Sequence, residues 1–396
     1  MARVLVMKPA GELSPSRGVV SHHADSPEKS VKHFYNIGDL YVYDSSLRLI
    51  EHDMVEALDI NTVSDERIAY YNENFDYCFL RGSNYINPNA VWGKANEVIE
   101  RLKIPVIAFG IGVQIKTEND LALNAETTRL LQQIAAKSTT IAVRGDLSVK
   151  VLNSIGIRNV RVIGCPTVFR HRQPTLSISK PRFEDLQRVG FTLRRNTPNS
   201  TVFQRYLLHY LHRRFKLSII CAGEIEEKTI FYASQQRLGN ADRRIAEAAA
   251  SLVEKGWLYD AADPLLDVYR KDLFWAESVA EYDQRLKSLD AVLGYRLHGN
   301  LLSLANGTPA LYLTYDTRTR EFVDTFKIPH FDVLKGERFQ FQAFYEAADF
   351  APFERAYQRQ FGELRRFLEE NNMPHRLGSD LPAIGAMTGG EIRPGC

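Results

Sequence analysis

Residues 288–316 have the sequence SLDAVLGYRLHGNLLSLANGTPALYLTYD, which predicts a strand, a helix and a second strand in succession. The apolar run that ends at Gly294 predicts the first strand, and residues 310–314 predict the second. The buried face of the helix between them is formed by Leu301, Leu302, Leu304 and Ala305. Neither strand alternates apolar with polar residues, so both faces of each strand should be covered, as in a parallel sheet flanked by helices.

The same succession of strands and helices recurs along the rest of the chain. Apolar runs predict further strands at residues 2–7, 75–80, 104–109, 140–143, 160–163, 189–193, 217–222 and 257–259. At 396 residues the chain is too long for one ordinary core. We therefore predict an α/β protein with two Rossmann-like lobes and parallel sheets, in a GT-B-type arrangement with the active site in the cleft between the lobes.

Changes in composition mark the expected limits of these lobes. A stretch rich in His, Arg, Gln, Ser and Pro separates a first lobe at residues 1–175 from a second lobe at residues 186–335. Residues 336–374 form an amphipathic, aromatic-rich pattern that predicts helices bracing the two lobes. The Gly- and Pro-rich residues 375–396 predict a mobile tail.

The composition argues against several classes of protein. A formal net charge of +2 is too small for a general nucleic-acid or membrane-surface protein. The chain has no apolar run of about 18 residues, and its apolar start reaches Lys8 and Pro9 too soon for a signal peptide. The four cysteines show no CxxC spacing, so neither a zinc site nor an oxidising compartment is indicated. We therefore expect a cytoplasmic enzyme.

Arg296 and His298 lie where a predicted strand meets the start of a helix. Open α/β sheets bind ligands at the carboxyl ends of their strands, and the free amides at a helix start favour an anion. Both residues are therefore candidates for a binding site. The structural alternative is that Arg296 pairs with a nearby carboxylate and that His298 only caps the helix.

Three further segments have weaker signals. Arg194 and Arg195 follow the strand at residues 189–193, where they could bind an anion or form a solvated charge pair. Glu224, after the strand at residues 217–222, is a reserve general base, although a surface carboxylate is the simpler interpretation. His22 and His23 lack acidic or cysteine partners at supporting spacing, so we expect no metal site. Residues 109–112 (FGIG) lack the third glycine of a dinucleotide fingerprint.

Several short motifs together resemble one family. The pattern Asp290…Arg296-x-His298-Gly299…Gly307-x-Pro309…Tyr315-Asp316 closely resembles the C-terminal signature of polysaccharide pyruvyl transferases. Other segments resemble that family's motifs in the same order, namely Asn36-Ile37-Gly38-Asp39, Arg144-Gly145-Asp146-Leu147-Ser148 and Gly164-Cys165-Pro166-Thr167. The resemblance covers residues 36–331. The chain departs from the family in its long His-rich loop before Asn36 and in Arg81-Gly82-Ser83-Asn84, where a Gly-Gly-Gly-like turn is frequent.

The resemblance implies a transferase that moves pyruvate from phosphoenolpyruvate to a sugar as a ketal, in exopolysaccharide or cell-surface glycan synthesis. It implies no cofactor, a first lobe on the acceptor side and a second lobe on the phosphoenolpyruvate side. It also implies an acceptor linked to a lipid carrier, which would place the enzyme at the inner membrane face with peripheral contact at most.

The resemblance also assigns roles to individual residues. The phosphate and carboxylate of phosphoenolpyruvate need fixed cations, which makes Arg296 the leading anion ligand. The methylene carbon needs a proton, so His298 is the expected general acid. Asp39 could orient or deprotonate an acceptor hydroxyl, or it could be a first-turn residue favoured by the helix dipole. The remaining expected substrate-binding positions are Asn36, Gly38, Arg144, Gly299, Arg194 and Arg195, of which Arg144 could equally belong to a structural turn.

Two other functions remain open at this stage. A GT-B glycosyltransferase that uses a nucleotide sugar would share the fold and a phosphate site in the second lobe. A non-catalytic relative in a polysaccharide assembly complex would share the fold without turnover. The ligand that the protein binds distinguishes these alternatives.

Overall fold

Two six-stranded parallel sheets organise the chain, as a computed structural model shows, and this confirms the predicted α/β class with two parallel sheets. The structure describes residues 2–115, 117, 121–195, 197, 200–336 and 338–378. The predicted tail at residues 375–396 therefore lies outside the described residues from residue 379 onward. Within the described residues, no helix is long and apolar enough to cross a membrane.

The first half of the chain forms the first sheet and its helices. In chain order the elements are β1 (Ala2–Met7), β2 (Glu12–Ser14), β3 (Gly18–Val20), α1 (Pro27–Ser30), α2 (Ile37–Leu49), β4 (His52–Leu58), α3 (Asp65–Asn74), β5 (Tyr77–Arg81), α4 (Gly93–Arg101), β6 (Val106–Ile111), α5 (Ala125–Lys137), β7 (Ile141–Val143), α6 (Asp146–Ser154) and β8 (Val160–Val162). The strand order in the sheet is β4-β1-β5-β6-β7-β8, and β2 pairs with β3 as a separate hairpin.

The second half forms the second sheet, in the order β11-β10-β9-β12-β13-β14. In chain order its elements are β9 (Arg188–Thr192), α7 (Thr201–Arg214), β10 (Lys216–Ile220), α8 (Ile225–Ser234), α9 (Ala241–Glu254), α10 (Pro264–Asp272), β11 (Leu273–Phe274), α11 (Val279–Lys287), β12 (Ala291–Gly294), α12 (Leu297–Ala305), β13 (Ala310–Thr314), α13 (Thr317–Phe326), β14 (His330–Asp332), α14 (Phe341–Ala347) and α15 (Ala351–Glu370). The 3-10 turns are Pro166–Phe169, Phe183–Asp185 and Val333–Lys335.

One predicted strand is wrong, and no apolar run in the sequence predicts the strands β2, β3, β4, β11 and β14. The apolar residues 257–259 do not form a strand, because the N–H groups of Trp257 and Leu258 both donate to Leu252 O and close the end of α9. Strand β4 was missed because it lies at the edge of the first sheet, where most of its side chains remain partly exposed. An edge strand lacks the continuous apolar run of a central strand.

The last long helix, α15, returns from the second half to the first sheet. The ring of Phe367 stacks on Phe109 of β6 with 5.5 Å between ring centroids. Arg161 of β8 forms ion pairs with Glu363 and Glu370 of α15. The helix therefore contacts the first sheet although it follows the second in the chain.

The entry to α2 joins the two halves at the carboxyl edges of their sheets. Ile37 N–H donates to Ala222 O after β10, at 2.9 Å. Deeper in the same contact, the buried Arg170 forms ion pairs with Asp44 of α2 at 3.0 Å and with Asp283 of α11 at 2.7 Å. These contacts bring both sheet edges to one cavity.

Candidate active site

One cavity, partly open to solvent, lies between the two halves. Its walls come from the residues that follow β5, β7, β9, β10, β12 and β13 and from the first turns of α2, α12 and α13. Carboxyl ends of parallel strands and helix starts are where α/β proteins bind ligands, and helix starts favour anions. The topology therefore places an anion-favouring cavity at the join.

The cavity brings together most of the residues that the sequence predicts for a site. Those that line it are Asn36, Gly38, Arg144, Arg194, Arg296, His298 and Gly299. Asp39 and Arg195 do not line it. Residues as far apart as Asn36 and Gly299 thus meet only because both sheets present their carboxyl edges to the same space.

Arg296 is fixed by contacts on one edge of its guanidinium. Its Nε–H donates to Leu193 O at 2.8 Å, and its Nη2 forms an ion pair with Glu224. Burial and then the neighbouring Arg194 lower the pKa of Arg296 to about 10, so it remains a cation at neutral pH. The Glu224 side chain is only 11% exposed, which corrects the simpler interpretation of this residue as a surface carboxylate.

His298 lies in the first turn of α12 and packs against the start of α2. A Cβ atom built on Gly38 would lie 2.7 Å from His298 Nδ1, so only glycine leaves room for the imidazole. The buried Nε2 atom has no hydrogen-bond partner within the described residues. Burial and then the cations Arg144, Arg81 and Arg318 hold the pKa of His298 well below its usual range. The imidazole is therefore neutral at pH 7 in this structure.

Arg144 reaches the cavity from the end of β7. Its Nε–H donates to Gly110 O at 3.0 Å and its Nη1 donates to Asn84 Oδ1 at 2.5 Å. Its guanidinium carbon lies 5.2 Å from the ring centroid of Phe322. A Cβ atom on Gly112 would lie 2.4 Å from Arg144 Cδ. The glycine at position 112 therefore makes room for this arginine.

The neighbours Arg194 and Arg195 point to different surroundings. Arg194 lines the cavity, and its guanidinium carbon lies 4.9 Å from the ring centroid of Tyr315. Arg195 instead forms buried ion pairs with Glu226 at 2.7 Å and Glu227 at 2.5 Å. Arg195 is thus held by a pair of buried carboxylates, and of the two arginines only Arg194 lines the cavity.

The first turn of α2 holds Asn36 and Asp39 by local contacts. Asn36 caps the helix by accepting a hydrogen bond from Gly38 N–H at 3.2 Å. Asp39 Oδ1 accepts from Arg81 Nη1 at 3.2 Å, and its side chain is 32% exposed. Asp39 thus stands beside the cavity wall and is paired with a buried arginine.

Some residues of the site carried no signal of their own in the sequence. Arg318 lines the cavity two positions beyond the Tyr315-Asp316 motif, and Asp316 pairs with it at 2.5 Å. Asn84 lines it at the end of the turn that departs from the family pattern. The only sequence signals for these residues are their positions. Arg318 lies in the charged stretch after Asp316, and Asn84 ends the turn after β5.

The histidines of the early loop lie away from this cavity. His22 Nδ1 is 2.8 Å from Glu12 Oε1, and the ring of His23 lies 5.3 Å from that of His33. No group of three or more His, Cys, Asp or Glu side chains in the described ranges is arranged to hold a metal ion.

The charges in the cavity fall into two classes. Arg296 and Arg318 each have a carboxylate partner, Glu224 and Asp316. For Arg144 and Arg194 the described part of the chain supplies no carboxylate within ion-pair distance. The cavity therefore has a net positive charge, which suits a small ligand with more than one anionic group.

Solved structures show a distant likeness across nearly the whole chain. S. aureus MnaA in a UDP co-structure is 11% identical with a TM-score of 0.44, and covers 96% of this chain and 100% of its own. The UDP-N-acetylglucosamine 2-epimerase of Rickettsia bellii is 12% identical with a TM-score of 0.45, and covers 93% and 96%. That of Methanocaldococcus jannaschii, with UDP-GlcNAc and UDP, is 12% identical with a TM-score of 0.41, covering 95% and 95%. A search of curated proteins gives no match.

The family model described as "Polysaccharide pyruvyl transferase" matches residues 28–317. The match includes the start of α2, the end of β7 and the unit from β12 to β13, which together supply most of the cavity wall. It therefore joins the predicted motifs in one continuous region. The chain belongs to the polysaccharide pyruvyl transferase family.

Proposed function

We propose that this cavity binds phosphoenolpyruvate and transfers its enolpyruvyl carbons to two hydroxyls of a sugar, forming a pyruvate ketal. The observation that carries the proposal is the meeting of several arginines with one neutral histidine in a single cavity built by both sheets. A donor with a phosphate and a carboxylate needs such a set of cations. The proton that the donor must receive needs a group like His298.

Donor binding is assigned to the arginines. Arginine's planar fork suits both a phosphate and a carboxylate. Arg144 and Arg194 have no carboxylate partner in the described part of the chain, so they are the strongest sources of uncompensated charge. Arg296 offers a guanidinium that is already oriented. We assign the donor's two anionic groups to these three side chains, with the backbone at Gly299 close by.

His298 delivers the proton to the methylene carbon. The free site keeps this imidazole neutral, but a bound trianionic donor offsets the surrounding arginines and raises its pKa, so that it takes up a proton. Transfer of that proton to the methylene carbon gives the adjacent carbon positive character. A general acid of this kind contributes roughly 10²–10⁴-fold to the rate.

The sugar then completes the ketal. One hydroxyl attacks the positively charged carbon, the bond from that carbon to the phosphate oxygen breaks, and the second hydroxyl closes the ring. The two hydroxyls release two protons, of which one restores His298 and the other leaves with inorganic phosphate. We assign the orientation of the acceptor hydroxyl to Asp39, which does not line the cavity itself but is 32% exposed and is held by Arg81 next to the Asn36-Gly38 wall.

The proposal also assigns a substrate to each half of the chain and a cellular location to the acceptor. We assign the acceptor to the half at residues 1–175, the donor to the half at residues 186–335 and a bracing role to residues 336–374. The family resemblance supports an acceptor glycan of an exopolysaccharide or cell surface, carried on a lipid at the inner membrane face.

A thermal-shift titration tests the donor without knowledge of the acceptor. Phosphoenolpyruvate, UDP-sugars and GDP-sugars are each titrated into the wild type, Arg296→Ala and the control Arg213→Ala, which removes an exposed arginine of α7. At about 100 times its Kd, a ligand adds roughly 2.7 kcal/mol to stability. We expect phosphoenolpyruvate to stabilise the wild type and the control, and to stabilise Arg296→Ala much less at the same concentration. Stabilisation by a nucleotide sugar instead would establish the glycosyltransferase alternative.

A further inference from the structure

Glu224 is a carboxylate beside the cavity, with a side chain only 11% exposed, that no step of the proposed reaction uses. It follows β10, whose end lines the cavity through Ile220, Cys221 and Ala222. Its Oε1 pairs with Arg296, and its Oε2 accepts from Ala222 N–H at 3.1 Å. Both carboxylate oxygens are therefore engaged, which leaves this group poorly suited to act as a base.

The contacts of Arg296 divide its guanidinium into a held edge and an available edge. Leu193 O takes the Nε hydrogen, and Glu224 takes Nη2. The Nη1 hydrogens have no partner among the residues that the structure describes. An arginine held at one edge offers a fork of fixed direction to a ligand, with less rotamer freedom left to lose on binding.

The turn that carries Glu224 packs closely against the first half of the chain, near the start of α2. Gly223 has a φ of +132° and lies so close to Tyr35 that a Cβ atom would be 1.5 Å from its carbonyl oxygen. The preceding residue, Ala222, accepts a hydrogen bond from Ile37 N–H at 2.9 Å. The position of Glu224 is therefore set by the segment that begins α2, next to Gly38.

We propose that Glu224 is a positioning residue that aims Arg296 at the donor and couples this aim to the start of α2. The proposal rests on the proposed function, in which Arg296 binds phosphoenolpyruvate. Loss of the carboxylate leaves the guanidinium held only through Leu193 O, so the donor must order it on binding. Both the donor affinity and the alignment with His298 then decline.

A different role for Glu224 predicts the opposite sign. If the carboxylate only neutralised Arg296 and competed with the donor for it, removing it would raise the positive charge of the cavity and tighten the binding of every anion. Positioning and competition are therefore separated by the direction of the change in Kd.

The test measures the Kd of phosphoenolpyruvate by calorimetry for the wild type, Glu224→Ala, Glu224→Gln and Arg296→Ala, together with the double variant of Glu224→Ala and Arg296→Ala. We expect Glu224→Ala to raise the Kd about 10-fold, the size of one well-made charge-assisted contact. Glu224→Gln keeps an oxygen that accepts from Nη2, so it should recover much of the affinity. In the Arg296→Ala background, Glu224→Ala should not weaken binding further, because the residue it positions is gone and the carboxylate that remains only repels the donor.

The control is Glu247→Gln, which removes one exposed carboxylate of α9 and should leave the Kd unchanged. Unchanged or tighter binding in Glu224→Ala, with normal binding by the wild type, overturns the positioning role alone. Equal losses in the single and the double background overturn it too, because they indicate general damage. If the wild type itself does not bind phosphoenolpyruvate, the proposed function and this inference both fail.

Discussion

The two sides of the cavity contribute different things to it. The second half supplies most of the charge and the titratable ring, through Arg194, Arg296 and His298. The first half supplies one arginine and a close-packed wall, in which Gly38 lies against His298 and Gly112 against Arg144. Activity should therefore be sensitive to larger side chains on the first side and to the loss of charged or titratable groups on the second side.

The largest effect is expected for His298→Gln on the second side. Loss of the general acid should lower turnover by about 10²–10⁴-fold while the Kd of phosphoenolpyruvate changes little. Turnover is measured as inorganic phosphate released in the presence of the acceptor glycan. His209→Gln in α7, where the side chain is partly exposed and does not line the cavity, is the matched control and should retain full activity. Near-normal turnover in His298→Gln would remove this residue from the chemistry.

Alanine substitutions of the adjacent Arg194 and Arg195 on the second side should have different effects on stability and on donor binding. Arg195→Ala leaves the buried carboxylates of Glu226 and Glu227 without their partner, which should lower the free energy of unfolding by about 3–5 kcal/mol. Arg194→Ala should change this free energy by less than about 1 kcal/mol but weaken donor binding. Urea unfolding and calorimetry measure the two effects. Equal stability losses in the two variants would contradict the distinction.

Gly38→Ala tests the close-packed side. The added methyl group would lie 2.7 Å from His298 Nδ1, so the imidazole must move. A displacement of this order can lower turnover by about 10²-fold. The control is Gly362→Ala in α15, where an added Cβ meets no atom within 4 Å. It should leave turnover unchanged and stabilise the helix slightly. Normal turnover in Gly38→Ala would show that the contact does not position His298.

The smallest effect is a pH dependence of stability. The pKa of His298 is lowered on folding, first by burial and then by Arg144, so below about pH 6.5 the unfolded chain binds more protons than the folded one. Lowering the pH from 7.5 to 5.5 should therefore destabilise the wild type by about 1 kcal/mol more than His298→Gln. Urea unfolding of both proteins at the two pH values measures this. Saturating phosphoenolpyruvate should remove the difference, and a difference of the opposite sign would contradict the lowered pKa.

The sequence predicts the central strands of the sheets well but predicts the edge strands poorly. The run from β12 to β13 lacks alternation because both faces of these strands are covered, and this is visible in the residues themselves. The edge strand β4 has half-exposed side chains and gives no such signal. The run at residues 257–259 is apolar because Trp257 and Leu258 are buried, but burial alone does not distinguish a strand from the end of a helix.

The candidate site was predictable where a local pattern marks it. Arg296 and His298 stand at a strand-to-helix junction, which is a property of neighbouring residues. The strand at residues 217–222 marks Glu224 as a candidate, but no local pattern reveals its contact with Arg296, which lies far along the chain. The different surroundings of Arg194 and Arg195 likewise follow from which carboxylates α8 brings near.

The most direct test of the account is a crystal structure of the protein with phosphoenolpyruvate bound. We expect the donor in the cavity between the two sheets, with its anionic oxygens within hydrogen-bond distance of Arg296 and of Arg144 or Arg194, and with its methylene carbon facing His298. Phosphoenolpyruvate bound outside this cavity, or with its methylene carbon turned away from His298, would contradict the account.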